Sequence, residues 1–552
     1  MATRPFVTTL LLPAFFACTF VTADPEAGRD AVGSTAAVTA GHPLAAEAGL
    51  EVLRNGGNAM DAAITMAAML AVARPHMNGV GGDMFLIYYD RATRKPYALN
   101  ASGRSGSAAT LADLRARGLD EMPGGGPASV SVPGAVAGWA EALERFGTIS
   151  WSEALEPAVP LARSGLPVSR RLSLDIEGQI DKVRRDPEAA RIFLPNDAPP
   201  AEGDKLQMPE LAATLERIQQ NGPQEFYTGE TGRRVVEYLT ERGGLLRAED
   251  LAANEPVWTE PLRGNYHDFE VLAFPPNTQG VALLEEFGIL NWIDLKVLGQ
   301  NSADYLHTVT EAIRYAVADR DTSIADPDYM RVTVDQLLDR DRLHRLALQI
   351  DPQGMAPGME TAPEEDHPNT VYLSVADGNG NVVSLIQSLF AAFGSGLVVP
   401  ETGIVLHNRG SLFRFDESHP NVFGPGRRPY HTLSPAMVLY EGTPVLTFGT
   451  PGGDGQTHTL TQVMNNIFLF GMTPQQAIDA PRLRRLPDGS LAIEDRVSAD
   501  VLDELTARGY AVLPRSGWTA EFGGAQAILI DQASGGKRAG ADRRREGWSL
   551  AY

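Results

Sequence analysis

Asp366-His367-Pro368-Asn369-Thr370-Val371-Tyr372-Leu373-Ser374-Val375-Ala376-Asp377 is the stretch whose reading decides the fold. From Thr370 the residues alternate, Val371, Leu373 and Val375 on one face and Thr370, Tyr372, Ser374 and Ala376 on the other, which is the two-residue period of a strand. A turn-rich Asp377-Gly378-Asn379-Gly380-Asn381 and a second β-favouring run, Val382 to Ile386, complete a hairpin. Upstream, residues 351–369 are crowded with Pro, Gly, Glu and Asp and read as an exposed irregular segment. Thr370 therefore stands where an irregular segment meets a buried sheet, and the strand is expected to open at that residue.

A threonine hydroxyl is a poor nucleophile without a base beside it. Cutting the Asn369-Thr370 bond would supply one, because the new α-amino group titrates near ~7.7–8 and is carried on the same residue as the hydroxyl. The Thr370 hydroxyl can make that cut itself by attacking the Asn369 carbonyl, leaving an ester that water opens. Pro368 stiffens the approach by fixing its own φ and biasing His367 toward extended geometry. Read alone, these residues fit equally a threonine that merely begins a strand, the commoner role.

The motifs around it narrow the choice. Thr370-x-Tyr372-Leu373-Ser374-Val375, Gly380-x-Val382-Val383-Ser384, Phe393-Gly394-Ser395-Gly396, Thr402-Gly403-Ile404 and Asn408 resemble the start of the small subunit of the gamma-glutamyltransferase family. Agreement extends along the chain, through Gly41-His42-Pro43-Leu44-Ala45, Gly56-Gly57-Asn58-Ala59-Met60-Asp61, Pro75-His76-Met77-Asn78-Gly79-Val80-Gly81-Gly82, Val132-Pro133-Gly134, Ala318-Asp319-Arg320 and Pro451-Gly452-Gly453. The resemblance implies an α+β fold, the four-layer αββα sandwich of the N-terminal-nucleophile hydrolases. It implies a precursor cut into a large subunit, residues 24–369, and a small subunit, residues 370–552, with Thr370 at its front.

The same resemblance assigns roles. Ser388 takes the place of a helper hydroxyl that orients the nucleophile's amine, and Gly452 and Gly453 that of the backbone N–H donors to the oxyanion. The family's substrate-binding arginine has Ser102 at its place, with Arg104 two positions later as the local candidate. Three other binding positions depart: Phe390 replaces an asparagine, Arg409 and Leu412 replace the Gln and Asp that hold an α-ammonium, and His431-Thr432 replaces a Ser-Ser pair. The segment between Arg409 and Tyr430 is also short for the loop that covers the pocket in many members. A pocket without that Asp and with Arg409 nearby should suit an acidic acyl group lacking a free ammonium, such as a glutaryl-like acid. Gamma-glutamyl amides such as glutathione remain the first expectation, glutaryl-like amides the second, with hydrolysis favoured over transfer. An uncut, non-catalytic secreted scaffold is the alternative of another class.

The rest of the chain fits an exported enzyme. Arg4, the apolar run from Val7 to Val21 and the small-residue Val21-Thr22-Ala23 make residues 1–23 a secretory signal, so a periplasmic or secreted location is expected. The only cysteine, Cys18, leaves with it, which excludes disulfides and cysteine-based metal sites from the mature protein. A net charge of -22 argues against nucleic acid or an anionic membrane as partner. The ten histidines show no metal-binding spacing, and His407, His419 and His431 are read as solvated or hydrogen-bonded. No cofactor and no metal is called for, and the expected partners are a small amide substrate and the two subunits themselves.

Coarse periodicity places the elements. Leu44, Ala48 and Val52 share a helix face, and Asn58 to Ala73 is a second helix apolar enough to be buried throughout. Asn78-Gly79-Val80-Gly81-Gly82 leads into a strand from Met84 to Tyr89, so it cannot offer a helix N-terminus to phosphate, and its glycines are read as letting backbone pass close to the site. Residues 151–350 are mostly helical, Asp304 to Asp321 most clearly, while Pro261 to Tyr266 and Pro275 to Gly280 are read as scaffold turns.

Overall fold

A computed structural model of the protein describes residues 28–354 and 368–552. The secretory signal read at residues 1–23 and most of the irregular segment before Thr370 lie outside the described residues.

Two seven-stranded sheets, antiparallel throughout, form the middle of the molecule. Edge to edge, the first runs Trp548–Ala551, Ala37–Ala40, Pro368–Ala376, Val382–Ala391, Asp83–Asp90, Lys95–Ala101 and Val257–Thr259. The second runs Ala31–Gly33, Lys537–Ala541, Gln526–Ile530, Thr443–Gly449, Ala436–Tyr440, Phe269–Ala273 and Leu262–Tyr266. The alternation read from the sequence separates the layers. Val371, Leu373 and Val375 join the core beneath the first pair of helices, whereas Tyr372 and Ala376 meet Leu272, Met437 and Ile528 in the seam between the sheets.

The helices Pro43–Arg54 and Ala59–Ala73 cover the first sheet, capped by the side chains of His42 and Asn58. The second is buried along its whole length, as its run of Ala, Met and Leu requires. Its one charge, Asp61, is satisfied by the Asn58 N–H at 2.7 Å and the Thr148 hydroxyl at 2.5 Å. On the far side Gly280–Leu290, Ala303–Ser323 and Gln456–Phe468 cover the second sheet, burying Leu306, Val309, Ile313 and Val317. The architecture is the four-layer αββα sandwich of the N-terminal-nucleophile hydrolases.

One boundary differs from expectation. The strand opens at Pro368, not Thr370, because Pro368 and Asn369 already pair with Ala391 and Phe390. Ala37–Ala40 pairs only with Leu373–Ala376, so Pro368 lies where the strand has one ladder partner, the setting in which a missing N–H is tolerated. The partner strand likewise runs on to Ala391, past the Ile386 where its β-favouring run was read to end.

Glu286, on Gly280–Leu290, is buried and accepts the Thr461 hydroxyl of the neighbouring helix at 2.5 Å. Burial pushes its pKa up to about 7, partly offset by Thr457, Thr461 and Arg320. The native state thus keeps a proton that the unfolded chain gives up near 4.5, so this group's contribution to stability falls as pH rises from 4.5 to about 7. Glu286→Gln keeps the acceptor without the charge. Its melting temperature should exceed that of the wild type above neutral pH and converge with it in acid, as thermal unfolding followed by circular dichroism would read.

Candidate active site

Thr370 is 1% exposed and lies directly opposite Ser388 in the ladder. Both side chains occupy the face turned toward the second sheet. Their hydroxyl oxygens are 3.0 Å apart, and the Ser388 hydroxyl also donates to the Asn369 carbonyl at 2.8 Å. Having spent its only proton there, Ser388 must accept from Thr370, and it accepts as well from the Phe390 N–H at 2.7 Å. One serine therefore touches both the Thr370 hydroxyl and the carbonyl that this hydroxyl would have to attack.

The backbone is shaped to allow this. The register shifts between Asn369 and Thr370, Leu389 takes the extra position in the partner strand, and Phe390 adopts a left-handed φ of 74° that turns its N–H to Ser388. On the other side Ser388 pairs with Asp83. Gly82 packs so closely that a Cβ there would come 2.5 Å from the Ser388 carbonyl oxygen, in keeping with the reading of the glycine run.

Asp83 is the residue that sequence reasoning missed. It is fully buried, with His431 Nε2 at 3.0 Å, His407 Nδ1 at 3.2 Å and Arg409 Nε at 3.9 Å. Burial by itself would raise its pKa, but the two histidines outweigh that and hold the carboxyl ionised, well below the usual carboxylate range. Burial, with Arg409 adding to it, pushes His431 down to about 3, so the ring is neutral and donates to Asp83. An aspartate opening a strand whose next residues are all apolar was the available signal, since such a charge must be paired.

The loop after Thr443–Gly449 brings Gly453, with Gly452 just before it, against the strand Pro368–Ala376. Their φ values of 138° and 56° suit glycine. Gln279 braces this loop by donating to the carbonyls of Gly453, at 2.9 Å, and Thr432, at 2.5 Å, and Arg320 in turn donates to Gln279 at 3.2 Å. The segment Pro275 to Gly280 thus does more than turn the chain.

Beside these groups lies a cavity of about 560 Å³, walled by Phe390, Leu412, Phe413, Arg320, Arg414 and Thr432 among others, with Asp454 next to the glycine pair. Its size falls within the roughly 300–1,000 Å³ of small-molecule sites. Of the residues expected to bind substrate, Thr432 lines it. Arg409 does not: it is buried behind the wall, its guanidinium 4.3 Å from the centre of the Phe390 ring and donating to the Thr432 hydroxyl at 3.0 Å. His431 is likewise turned to Asp83, behind the wall. Arg104 is 43% exposed and engaged with the Gly426 carbonyl at 2.9 Å and Asp326 at 3.4 Å, outside the lining. A buried guanidinium needs a counter-charge, and Asp83 draws Arg409 inward. The cations that reach the cavity are Arg320, already paired with Asp321 and Asp454, and Arg414. His419 lines it too, with its Nε2 donating to the Asp321 carbonyl at 2.7 Å.

A family described as gamma-glutamyltranspeptidase matches residues 45–552. A glutathione hydrolase-like proenzyme of Bacillus subtilis is 35% identical over 94% of this chain and 99% of its own length. An oxamate amidohydrolase proenzyme of Klebsiella pneumoniae is 33% identical over 93% and 97%. Among solved structures, a cephalosporin acylase from Bacillus halodurans superposes with a TM-score of 0.89 at 33% identity, covering 97% of this chain and 99% of that one.

Asp83→Asn removes the counter-charge that keeps Arg409 buried. Breaking a buried ion pair in this way should cost about 3–5 kcal/mol, read as a lower denaturant midpoint. An unchanged midpoint would mean that Asp83 does not anchor the cluster.

Proposed function

The chain belongs to the gamma-glutamyltranspeptidase family of amide-cleaving enzymes, and from that premise we propose that it cuts itself before Thr370 and then hydrolyses gamma-glutamyl amides such as glutathione. The observation that carries this reading is the Ser388 hydroxyl, in contact with both the Thr370 hydroxyl and the Asn369 carbonyl.

In the uncut chain Ser388 is placed to accept a hydrogen bond from the Thr370 hydroxyl and so orient it, while donating its own proton to the oxygen on which negative charge develops. Once the bond is cut, the Thr370 amine becomes the base for its own hydroxyl, Ser388 orients that amine, and the N–H groups of Gly452 and Gly453 take the oxyanion. The acyl-enzyme then passes to water. Exposed Asp120, Glu121 and Asp416 at the cavity keep it solvated, which favours water over an amine acceptor. The two products of maturation are residues 24–369 and 370–552, exported to a periplasm or beyond by the leader at 1–23. No helix among the described residues is long and apolar enough to cross a membrane.

A second reading, glutaryl-like amides, is favoured by the wall itself. Phe390 and Leu412 offer no carboxylate to an α-ammonium, and the Phe390 ring is already stacked on Arg409, while Arg414 suits a distal carboxylate. The relatives' names cover glutathione hydrolase-like, oxamate amidohydrolase and cephalosporin acylase, so family membership leaves the acyl group open.

Denaturing electrophoresis with N-terminal sequencing should give two pieces, the smaller beginning Thr-Val-Tyr-Leu, and Thr370→Ala should stay whole and inactive. An active, uncut Thr370→Ala protein would end this account, and a wild-type chain that stays whole would point to a non-catalytic scaffold. On cut enzyme, kcat/KM for gamma-glutamyl against glutaryl p-nitroanilide decides the acyl group.

A further inference from the structure

We infer that Arg545 is a positioning residue for self-cutting, gripping the Asn369 side chain so that the scissile carbonyl is held against Ser388. This rests on the reading of Thr370 as a self-cutting nucleophile. Arg545 Nη1 donates to Asn369 Oδ1 at 2.6 Å, a short, charge-assisted bond. The other two nitrogens, Nε and Nη2, both donate to the Ala520 carbonyl, at 3.1 and 2.9 Å, so the guanidinium plane has one orientation.

The arginine is itself fixed from behind. Its backbone carbonyl accepts from Arg74 Nη2 at 3.3 Å, and the same nitrogen pairs with Glu546 at 2.6 Å. Residue 544, immediately before it, is a buried arginine paired with Glu494 at 2.7 Å and Asp542 at 3.2 Å. Gly524 leaves room for it, since a Cβ there would come 2.9 Å from that of Arg545. A surface arginine would not need this much support.

Asn369 is thereby held at three points: its carbonyl by Ser388, its backbone by the pairing with Phe390, and its side chain by Arg545. The reaction needs all of that rigidity. A bond forms between Thr370 Oγ1 and the Asn369 carbonyl carbon, the bond from that carbon to the Thr370 nitrogen breaks, and the hydroxyl proton passes to the departing nitrogen. Water then splits the ester, leaving Asn369 as a carboxylic acid and restoring the hydroxyl. A peptide carbonyl free to rotate would leave Ser388 and present the wrong face to the hydroxyl, and small misplacements of this kind are costly in rate.

The test follows cutting of the purified full-length precursor on a denaturing gel. Arg545→Ala and Asn369→Leu should each slow it roughly 10- to 100-fold, the worth of a hydrogen bond to a charged group. The double variant should cut no more slowly than the slower single one. Arg545→Lys should recover part of the rate relative to Ala, and Asn369→Asp, which keeps an acceptor, should cut faster than Asn369→Leu. Multiplicative losses in the double variant, or Asn369→Leu cutting at the wild-type rate, would overturn the inference. If Arg545→Ala does not fold, the Leu and Asp variants at Asn369 carry the test, because they leave the bonds from Arg545 to Ala520 in place. A wild-type chain that never cuts before Thr370 sinks the reading of Thr370 and this inference together. A wild type that cuts alongside an unimpaired Asn369→Leu sinks this inference alone.

Discussion

Everything at the site depends on the register of one strand pair. Thr370 faces Ser388 because Leu389 takes the extra position where the two strands shift register. Side chains alternate strictly along a strand, so a slip of one residue would turn Thr370 into the helix-side core and Val371 and Leu373 out into the seam between the sheets. The register is held from both flanks. Tyr372, whose hydroxyl lies 2.8 Å from Ser384, fills the seam between the sheets, and the apolar residues on the opposite face fill the core beneath the buried helix. The pairing of Ser388 with Asp83 adds a third constraint.

Buried charge supplies the rigidity that apolar packing cannot. Asp83 gathers His407, His431 and Arg409 immediately behind the cavity wall, and Arg409 in turn fixes Phe390 and Thr432, which face the cavity. A similar cluster at the other end, Arg482, Asp542, Arg544 and Glu494, anchors the chain that carries Arg545. Such clusters are expensive to desolvate and costly to break, so they hold their members in one arrangement. The Asn369-Thr370 peptide is thus approached from two sides by elements held in fixed arrangements.

The cavity beside Thr370 and Ser388 is where a substrate would be selected. Under the proposed mechanism the Thr370–Ser388 pair makes no contact that selects an acyl group, so selection would fall to the wall. Much of that wall comes from Ser411 to Asp416 with His419 and Asn421, joined by Phe390, Arg320 and Thr432 from elsewhere in the chain. Relatives whose names point to different acyl groups can share the first arrangement while differing in the second.

The sequence by itself determined the layers and singled out Thr370 as the candidate nucleophile. Alternation at Val371 to Ala376, the apolar run from Ala59 to Ala73 and the glycines before Asp83 are local signals, and local periodicity is enough to say which face is buried. The same reading named Thr370, Ser388, Gly452 and Gly453, which the structure gathers around one strand end. Only the tertiary structure decided which cations face the substrate. Arg409 and His431 lie in a polar stretch and read as pocket residues, yet a carboxylate more than 300 positions away draws both inward, and Arg545, near the C-terminus, reaches the Asn369 side chain. The direction of a long charged side chain is set by its counter-charge, and sequence separation carries no record of where that charge will be.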